Sequence, residues 1–378
     1  MSASQPAAIA DPSARISSTR AAALKIHQAI CRDFDVDGAI LGPDPGVRFN
    51  YRLWRFIKGY LPWIAWRDDL YYLQCQGYWV LANWLLAASP QDGYAAAAQR
   101  ACQQMVARQR ADGAWDYPNP EWKGRVATVE GTFAALGLLE TYRRTGQDEF
   151  LQAALRWHRY FSQHIGFMDY RGGRAVNYFA GRPGNPVPNN SSLILRYLAT
   201  LAEVTGRASY AQPCASVVDF LLSVQQPTGE LPYVVDEPRM LHFQCYQYHA
   251  FIYLDSRDYY LRTGDERIEP LLHGVLRFLS GGLSPAGYGL YQCRLAYRTV
   301  NYHTAAIATA LHCSADVGLD PQQVASYRHQ SQSGLAYLLR QQLPDGTFPH
   351  SRGDYRWLCD HRRYPRYLCM ILYHLLTL

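Results

Sequence analysis

The sequence predicts an all-α protein in which five or six helical hairpins form an (α/α) toroid, with only minor short strands in the loops. Two short phrases built around glycine recur along the chain, and the segments between them carry apolar residues at helical spacing. The chain also ends in an apolar helix, CMILYHLLTL. An open stack of hairpins needs polar ends, so this apolar end favours a ring in which the first and last hairpins cover each other.

The first recurring phrase combines a glutamine, a glycine and a large apolar residue. Gly113 stands four residues after Gln109, and Trp115 stands two residues after the glycine. The same order returns in LLSVQQPTGELPY (221–233) and YLLRQQLPDGTFPH (337–350). Glycine ends a helix by adopting positive φ, and the aromatic residue can fold back onto the helix end. We call this the Gln–Gly phrase.

The second phrase is Thr-Gly, and it divides each repeat into two helices. Gly146, Gly206 and Gly264 follow threonines and recur at intervals of about sixty residues. Each is followed by a second amphipathic helix that ends near a Gln–Gly phrase, and then by a longer polar, aromatic loop. Two helices, one short turn and one long loop per repeat predict αα-hairpins, the first of them within the leading segment 15–95.

Composition places the chain among globular proteins. Of its 378 residues, 48% are hydrophobic and 18% are charged, which allows a sizeable core and excludes disorder along most of the length. The first residues have the composition of a frayed terminus. Since no Pro/Ser-rich linker interrupts the repeats, we expect a disordered segment 1–14 followed by a single domain, 15–378.

Charge and cysteine usage restrict partners and compartment. The net charge of +6 suits an anionic small molecule or glycan, and the lack of a long Lys/Arg run predicts no nucleic-acid partner. No apolar run is long enough for a transmembrane segment. Nine cysteines without a C-x-x-C pair, and no secretory apolar region after Met1, predict reduced thiols and a cytoplasmic protein. The sequence predicts no cofactor and no metal, and leaves the oligomeric state open.

The candidate functional residues fall in six polar, aromatic stretches. In a toroid the long loops and the starts of the inner helices surround one funnel, and the stretches recur at equivalent places in the repeats. An alternative is that their aromatic residues only pack the loops. The stretches are WRDDLYYLQCQGYW (66–79), DYPNPEWKGRVATVEG (116–131), VNYFAGRPGNPVPNNSS (176–192), DEPRMLHFQCYQYH (236–249), YQCRLAYRTVNYH (291–303) and HSRGDYRWLCDHRRYPRY (350–367).

The Gln–Gly phrase also carries a resemblance to known families. Residues 109–115 resemble the Q-x-x-x-G-x-W repeat of squalene–hopene cyclases and prenyltransferase-type isoprenoid enzymes. Similar phrases occur in toroid polysaccharide lyases, sugar epimerases and six-hairpin glycosidases. The resemblance covers most of the chain as architecture and implies the toroid, while it implies no single chemistry.

Six residues are candidates for proton transfer or nucleophilic work. On a helix, His242, Tyr246 and His249 would share one face, and a His–Tyr pair can divide acid and base roles. A hydrogen-bonded core histidine is the alternative. A hydrolase would instead need two carboxylates, such as Asp69 with Glu130. The full catalytic set is His242, Tyr246, Tyr302, His303, Asp69 and Glu130.

Nine residues are candidates for substrate binding. Arginines interleaved with tyrosines suit a carboxylate or phosphate, although they could also form a solvated charged turn. The pair Asn189-Asn190 is similar to the paired Asn of toroid polysaccharide lyases, where an Asn neutralises a uronate carboxylate; a helix N-cap is the alternative. The set is Asn189, Asn190, Arg362, Arg363, Tyr364, Gln244, Tyr248, Trp79 and Trp122.

Three functions remain open at this stage. The favoured one is an enzyme acting on an anionic, uronate-type sugar or oligosaccharide by lyase, epimerase or hydrolase chemistry. An isoprenoid cyclase or prenyltransferase-like enzyme is the second, but the sequence lacks a D-x-D-D motif, and Cys359-Asp360-His361 offers zinc-ligand types without that family's spacing. The third is a toroid that binds a glycan or a protein without catalysis.

Overall fold

A computed structural model describes residues 12–45, 51–61, 63, 64, 68–119, 122 and 124–378. The segment 1–14 predicted to be disordered lies outside these residues except for its last three, which open the first helix. The described residues contain thirteen α-helices and a few short strands, which confirms the predicted fold class. None of these helices has the length and apolar character needed to cross a bilayer.

Six inner helices form a closed ring. Each packs against the next one along the chain, and the last packs against the first. They are α3 (Leu73–Leu86), α5 (Thr128–Thr145), α7 (Pro188–Thr205), α9 (Cys245–Thr263), α11 (Asn301–His312) and α13 (Pro365–Thr377).

Six outer helices complete the hairpins. They are α1 (Pro12–Asp33), α4 (Gly93–Ala107), α6 (Asp148–Tyr160), α8 (Cys214–Val224), α10 (Glu269–Leu279) and α12 (Pro321–Arg340). Helix α1 packs on α13, so the first helix of the chain is the outer member of the last hairpin. The sequence predicts the first hairpin within the leading segment 15–95. The structure differs, because α1 pairs with α13 and the first hairpin along the chain consists of α3 and α4. A further helix, α2 (Tyr51–Tyr60), lies in the connection between α1 and α3.

The predicted helix ends are confirmed at the Thr-Gly phrases. Helices α5, α7 and α9 end at threonine, and Gly146, Gly206 and Gly264 follow in the left-handed conformation with φ of 71°, 66° and 66°. This is the usual backbone for a glycine that ends a helix.

Each of the three Gln–Gly phrases fastens one outer helix to the next outer helix around the ring. Gln109 Nε2 donates to the carbonyl oxygen of Gly113 within its own phrase and to that of Ala153 in α6, both at 2.9 Å. Trp115 folds back as predicted, because its indole N–H donates to the Met105 carbonyl at 2.9 Å. The Gln–Gly phrase at 221–233 repeats this arrangement, with Gln225 donating to the Leu271 carbonyl of α10 at 3.0 Å.

The last Gln–Gly phrase closes the ring. Gln342 Nε2 donates to the Gly346 carbonyl at 3.0 Å and to the Ala22 carbonyl of α1 at 2.9 Å. Gly346 has φ +89°, and a Cβ at this residue would stand 2.5 Å from the Lys25 carbonyl oxygen. The apolar C-terminal helix is covered by this closure, and its Ile371 and Leu375 are buried.

The strands and the short helical turns lie outside the twelve ring helices. The strands are β1 (Asp35–Val36) with β2 (Ala39–Ile40), β3 (Phe167–Tyr170) with β4 (Gly173–Val176), and β5 (Thr299–Val300) with β6 (Ser351–Asp354) and β7 (Leu358–Asp360), all antiparallel. A π-helical turn, Phe161–Ile165, extends α6, and 3₁₀ turns occur at Ala208–Ala211, Pro238–Met240, Glu266–Ile268 and Cys313–Val317.

The ring closure makes one substitution unusually costly. In Gly346→Ala the alanine must adopt the left-handed backbone conformation of the glycine, and its methyl group must also displace the Lys25 carbonyl. Gly146→Ala is a matched control, since Gly146 has φ +71° but no atom near its added Cβ. We expect the control to lose about 1–2 kcal/mol in the free energy of unfolding, and Gly346→Ala to lose about 1–3 kcal/mol more. Urea unfolding of both variants measures the difference, and equal losses would contradict the close approach.

Candidate active site

The long loops of the repeats meet on one face of the ring. From α3 to α13 the chain alternates between inner and outer helices, so the inner helices are parallel and their N-terminal ends share a face. Neighbouring loops are bonded to each other there: Ala127 forms a bridge with Phe179, and Gln244 Nε2 donates to the Tyr291 hydroxyl at 2.7 Å. Strand β5, before α11, pairs with β6, before α13. These contacts bring the polar, aromatic stretches together around one funnel.

Glu130, in the first turn of α5, lies buried among these loops with 2% of its surface exposed. Its Oε2 accepts a hydrogen bond from the Gln74 backbone N–H at 3.1 Å, while its Oε1 has no hydrogen-bond partner among the described residues. Burial raises the pKa of this carboxyl to about 7, although the Arg366 guanidinium opposes the shift. Glu130 can therefore give or take a proton near neutral pH.

Arg366 supplies the positive charge beside Glu130. Its Nε lies 2.7 Å from Asp44 Oδ2 and its Nη2 lies 3.0 Å from Asp44 Oδ1, so the two side chains form a bidentate ion pair. The guanidinium lies over the Tyr72 ring, 4.4 Å from its centroid, and donates to the Tyr367 hydroxyl at 2.7 Å. One arginine thus links the loop after α1 to the starts of α3 and α13.

Tyrosines surround the Glu130–Arg366 pair. Burial raises the pKa of each phenol above its ordinary value, so the hydroxyls are neutral donors and acceptors. Tyr302 stacks on Tyr367 with ring centroids 4.2 Å apart and donates to Gln247 Oε1 at 3.0 Å. The group consists of Tyr72, Tyr117, Tyr178, Tyr248, Tyr302 and Tyr367.

Two cavities open beside this centre. The larger holds about 440 Å³, including space open to solvent, and the smaller about 210 Å³. They share three lining residues, His350, Arg362 and Tyr364. Asp44 lines the larger cavity and Tyr367 the smaller, so each cavity reaches a residue that contacts Arg366, while Glu130 and Arg366 themselves line neither.

Charges in the larger cavity are mostly paired within the protein. Lys58 lies 2.7 Å from Asp68, and Arg298 pairs with Asp354. Arg362 differs, because its guanidinium makes no ion pair with a described acid and only a long 3.5 Å contact with the Ile64 carbonyl. It is therefore available to a negatively charged ligand.

The structure places the other predicted catalytic residues away from the Glu130–Arg366 centre. His303 is buried behind Tyr302, and burial, with the positive charges of His350 and Arg298, holds its pKa well below the ordinary value. Asp69 is exposed, whereas its neighbour Asp68 lines the cavity.

The predicted helical face of His242, Tyr246 and His249 does not form. Helix α9 begins at Cys245, and His242 precedes it with φ +69° and lies 2.8 Å from Glu230 Oε1. Tyr246 points outward and stacks on Phe278 of α10 at 5.1 Å. His249 accepts from a backbone N–H, and burial lowers its pKa to about 4, so it acts as a neutral core residue.

The predicted binding residues divide into three groups. Arg362 and Tyr364 line both cavities. Trp122 packs against Tyr117 near the centre. Asn189 and Tyr248 line a third cavity of about 230 Å³. Asn190 is buried at the start of α7, and Gln244 joins two loops.

Two binding predictions need correction. Trp79 is fully buried and stacks on His27 of α1 at 4.5 Å, because it lies on the outward side of α3. Arg363 is exposed and pairs with Asp33 and Asp345, so it belongs to the charged turn that was the alternative interpretation.

Sequence reasoning missed Arg366 and Asp44 as site residues. Arg366 lies in the same run as Arg362 and Arg363, but it falls in the first turn of α13, whereas Arg363 lies in the loop before that helix. Asp44 lies outside the repeats and carries no signal of its own.

One group of residues among those described has the donor types of a metal site. Glu230, His242 and Cys293 each offer a ligand atom, and these atoms all lie within 4.8 Å of one another. Cys359, Asp360 and His361 form no such group in the described part of the chain.

Comparison with known proteins identifies the fold. No family model and no curated protein matches this sequence. Among solved structures, cellobiose 2-epimerase from Bacillus thermoamylovorans is similar, with a TM-score of 0.75 at 11% identity over 96% of this chain and 99% of that one. An unsaturated glucuronyl hydrolase specific for heparin gives 0.67 at 12% over 97% and 96%, and a type II terpene cyclase from Scytonema gives 0.59 at 14% over 97% and 98%. At these identities the likeness establishes a shared toroid fold.

The raised pKa of Glu130 gives a prediction for stability against pH. A carboxyl whose pKa rises on folding from 4.5 to about 7 stabilises the protein fully below pH 4.5, and this contribution is lost as pH rises through 7. The shift corresponds to about 3 kcal/mol. We expect Glu130→Gln to remove this loss between pH 5 and pH 8 in urea unfolding. Glu149→Gln, an exposed change on α6, should retain it, and parallel pH profiles for wild type and Glu130→Gln would contradict the shifted pKa.

Proposed function

We propose that the protein is a carbohydrate-active enzyme that acts on a uronate-type sugar or short oligosaccharide in the funnel, with Glu130 as the proton-transfer group. The observation that carries the proposal is the buried Glu130 carboxyl, which has an unbonded Oε1, a pKa near neutrality and Arg366 beside it. Toroid structures named as an epimerase and a glucuronyl hydrolase support the choice of substrate class.

Each neighbour of Glu130 has a role in this proposal. The Arg366 guanidinium stabilises negative charge that develops on the substrate, and Asp44 holds it in place. The neutral tyrosine hydroxyls hydrogen-bond sugar hydroxyls, and the stacked Tyr302–Tyr367 pair offers an apolar wall. Arg362 meets the substrate carboxylate, since its charge acts on Asp360 in the same cavity but no described acid forms an ion pair with it.

Lyase, epimerase and hydrolase chemistry share the first requirement, a group with a pKa near the working pH. A lyase or epimerase removes the proton next to the carboxylate, and Arg366 then faces the enolate-like charge. A hydrolase uses protonated Glu130 as the general acid, with Asp44, the ion-pair partner of Arg366, as the second carboxylate. Product analysis distinguishes the three reactions: a lyase forms an unsaturated sugar, an epimerase forms an epimer and a hydrolase forms a new reducing end.

An isoprenoid cyclase is the second candidate, and one observation favours it. Glu130 lies among the rings of Tyr72, Tyr117 and Tyr178, and an acid inside an aromatic-lined cavity can protonate an alkene and stabilise the resulting cation. The ion-paired Arg366 beside the acid and the polar tyrosine hydroxyls favour a sugar over a hydrocarbon.

Replacement of the Glu130 carboxyl by an amide should abolish turnover while substrate binding is retained. We expect Glu130→Gln to lower kcat about 10²–10⁴-fold with KM changed only a few-fold, because the amide keeps the shape but moves no proton. Uronate oligosaccharides and prenyl diphosphates are assayed in parallel, with Glu149→Gln as the control. Turnover only of the prenyl substrates would overturn the sugar proposal, and saturable binding without turnover in wild type would indicate a binding protein.

The neighbouring arginines provide a matched test of the carboxylate contact. We expect Arg362→Gln to weaken binding of a uronate oligosaccharide at least 10-fold, since a charge-assisted hydrogen bond contributes about 1.5–3 kcal/mol. Arg363→Gln removes the same charge one residue away, outside the cavity, and should leave affinity unchanged. Calorimetry with the uronate ligand and its neutral, carboxyl-reduced analogue measures both. Equal effects of the two substitutions, or equal loss for the neutral analogue, would exclude the proposed contact.

A further inference from the structure

Four potential metal ligands meet beside the start of α9. Glu230 directly follows the glycine of the second Gln–Gly phrase, His242 lies in the next loop, Cys245 opens α9, and Cys293 lies in the loop before α11. Glu230 and Cys245 are buried, and His242 and Cys293 are partly exposed. The four residues come from two repeats and lie on the flank of the funnel.

The distances within this group are short. His242 Nδ1 lies 2.8 Å from Glu230 Oε1, and the Cys245 and Cys293 sulfurs lie 3.0 Å apart. Ligand atoms of Glu230, His242 and Cys293 all lie within 4.8 Å of one another. An imidazole, a carboxylate and the Cys293 thiol are thus gathered in a space the size of one coordination sphere, and the Cys245 thiol lies against the Cys293 sulfur.

The donor set matches tetrahedral zinc. Zinc binds thiolate sulfur at about 2.3 Å and imidazole nitrogen or carboxylate oxygen at about 2.0–2.2 Å. Tetrahedral angles then require sulfurs about 3.7 Å apart and a nitrogen–oxygen separation of about 3.3 Å. Each of these two pairs has to open by less than about 1 Å, and the Cys245 sulfur has to move closer to Glu230 and His242, changes that side-chain rotation can supply.

The surroundings also suit metal-bound thiolates. The Cys293 backbone N–H lies 3.3 Å from the Cys245 sulfur, and the Tyr246 hydroxyl hydrogen-bonds with the Cys293 sulfur. Hydrogen bonds of this kind orient ligands from outside the coordination sphere. Arg294, whose positive charge acts on Glu230, offsets the negative charge of two thiolates and a carboxylate.

We propose that Glu230, His242, Cys245 and Cys293 form a structural Zn²⁺ site that joins two funnel loops to the start of α9. His242 and Cys245 flank Gln244, which bonds to Tyr291 of the neighbouring loop, so the ion fixes the part of the funnel wall that contains Tyr248. The proposal is independent of the reaction, and it makes His242 a metal ligand and Tyr246 a hydrogen-bond partner that orients the Cys293 sulfur, rather than groups that move protons.

The metal content of the purified full chain tests the site. We expect about one zinc per chain after expression with zinc and gel filtration, and less than about 0.2 in Cys245→Ser and in Cys293→Ser. Cys313→Ser, which removes another buried thiol, is the matched control and should keep the metal. Circular dichroism and gel-filtration volume show whether each variant is folded.

Two further measurements on wild-type protein do not depend on variants that fold. Cobalt substituted for zinc should give thiolate-to-metal charge transfer and the intense visible bands of a tetrahedral site. A chelator should make Cys245 and Cys293 newly reactive towards iodoacetamide in peptide mass spectrometry. Wild type with negligible zinc, full zinc content in both Cys variants, or a peptide cross-linked between residues 245 and 293 by a disulfide would each overturn the proposal.

Discussion

Three glutamine side chains hold the ring of hairpins together, and the third one closes it. The bond from Gln342 to the Ala22 carbonyl ties the last repeat to the first helix, and the missing Cβ of Gly346 allows the loop to lie against that helix. Because the ring is closed, six loops that are distant in sequence must share one face. The funnel is therefore a product of closure and belongs to no single hairpin.

Closure also determines the electrostatics of the centre. Glu130 comes from α5, Arg366 from α13 and Asp44 from the loop after α1, so the three charged groups meet only in the complete ring. Arg366 pairs with Asp44, whereas Oε1 of Glu130 accepts no hydrogen bond from a described residue. The charge of one acid is therefore compensated by an ion pair, and burial raises the pKa of the other towards neutrality. That asymmetry is what acid–base chemistry requires.

The repeat pattern was enough to predict the fold, because each Gln–Gly phrase encodes a helix end and a contact with the next helix. Glu130, Tyr302 and Arg362 were predictable as site candidates from their place in the recurring stretches. Trp79 and Arg363 were not separable from lining residues, since the sequence gives neither the rotation of α3 about its axis nor the conformation of the loop before α13. The helical face through His242 was wrong because α9 starts three residues later. Asp44 and the Glu230–Cys293 approach depend on contacts between distant loops, which no local pattern encodes.

The pairing of α1 with α13 has a consequence for the order of folding. The apolar face of α1, with Ala23, Ile26 and Ile30 fully buried in the finished ring, is made first and covered last. Its partner helix, α13, emerges from the ribosome roughly 330 residues later. At a synthesis rate of about 5–20 residues per second, the apolar face of α1 therefore stays exposed for tens of seconds. During synthesis the ring is open and the apolar face of α1 is exposed. This face is therefore a defined segment for molecular chaperones to bind until α13 closes the ring.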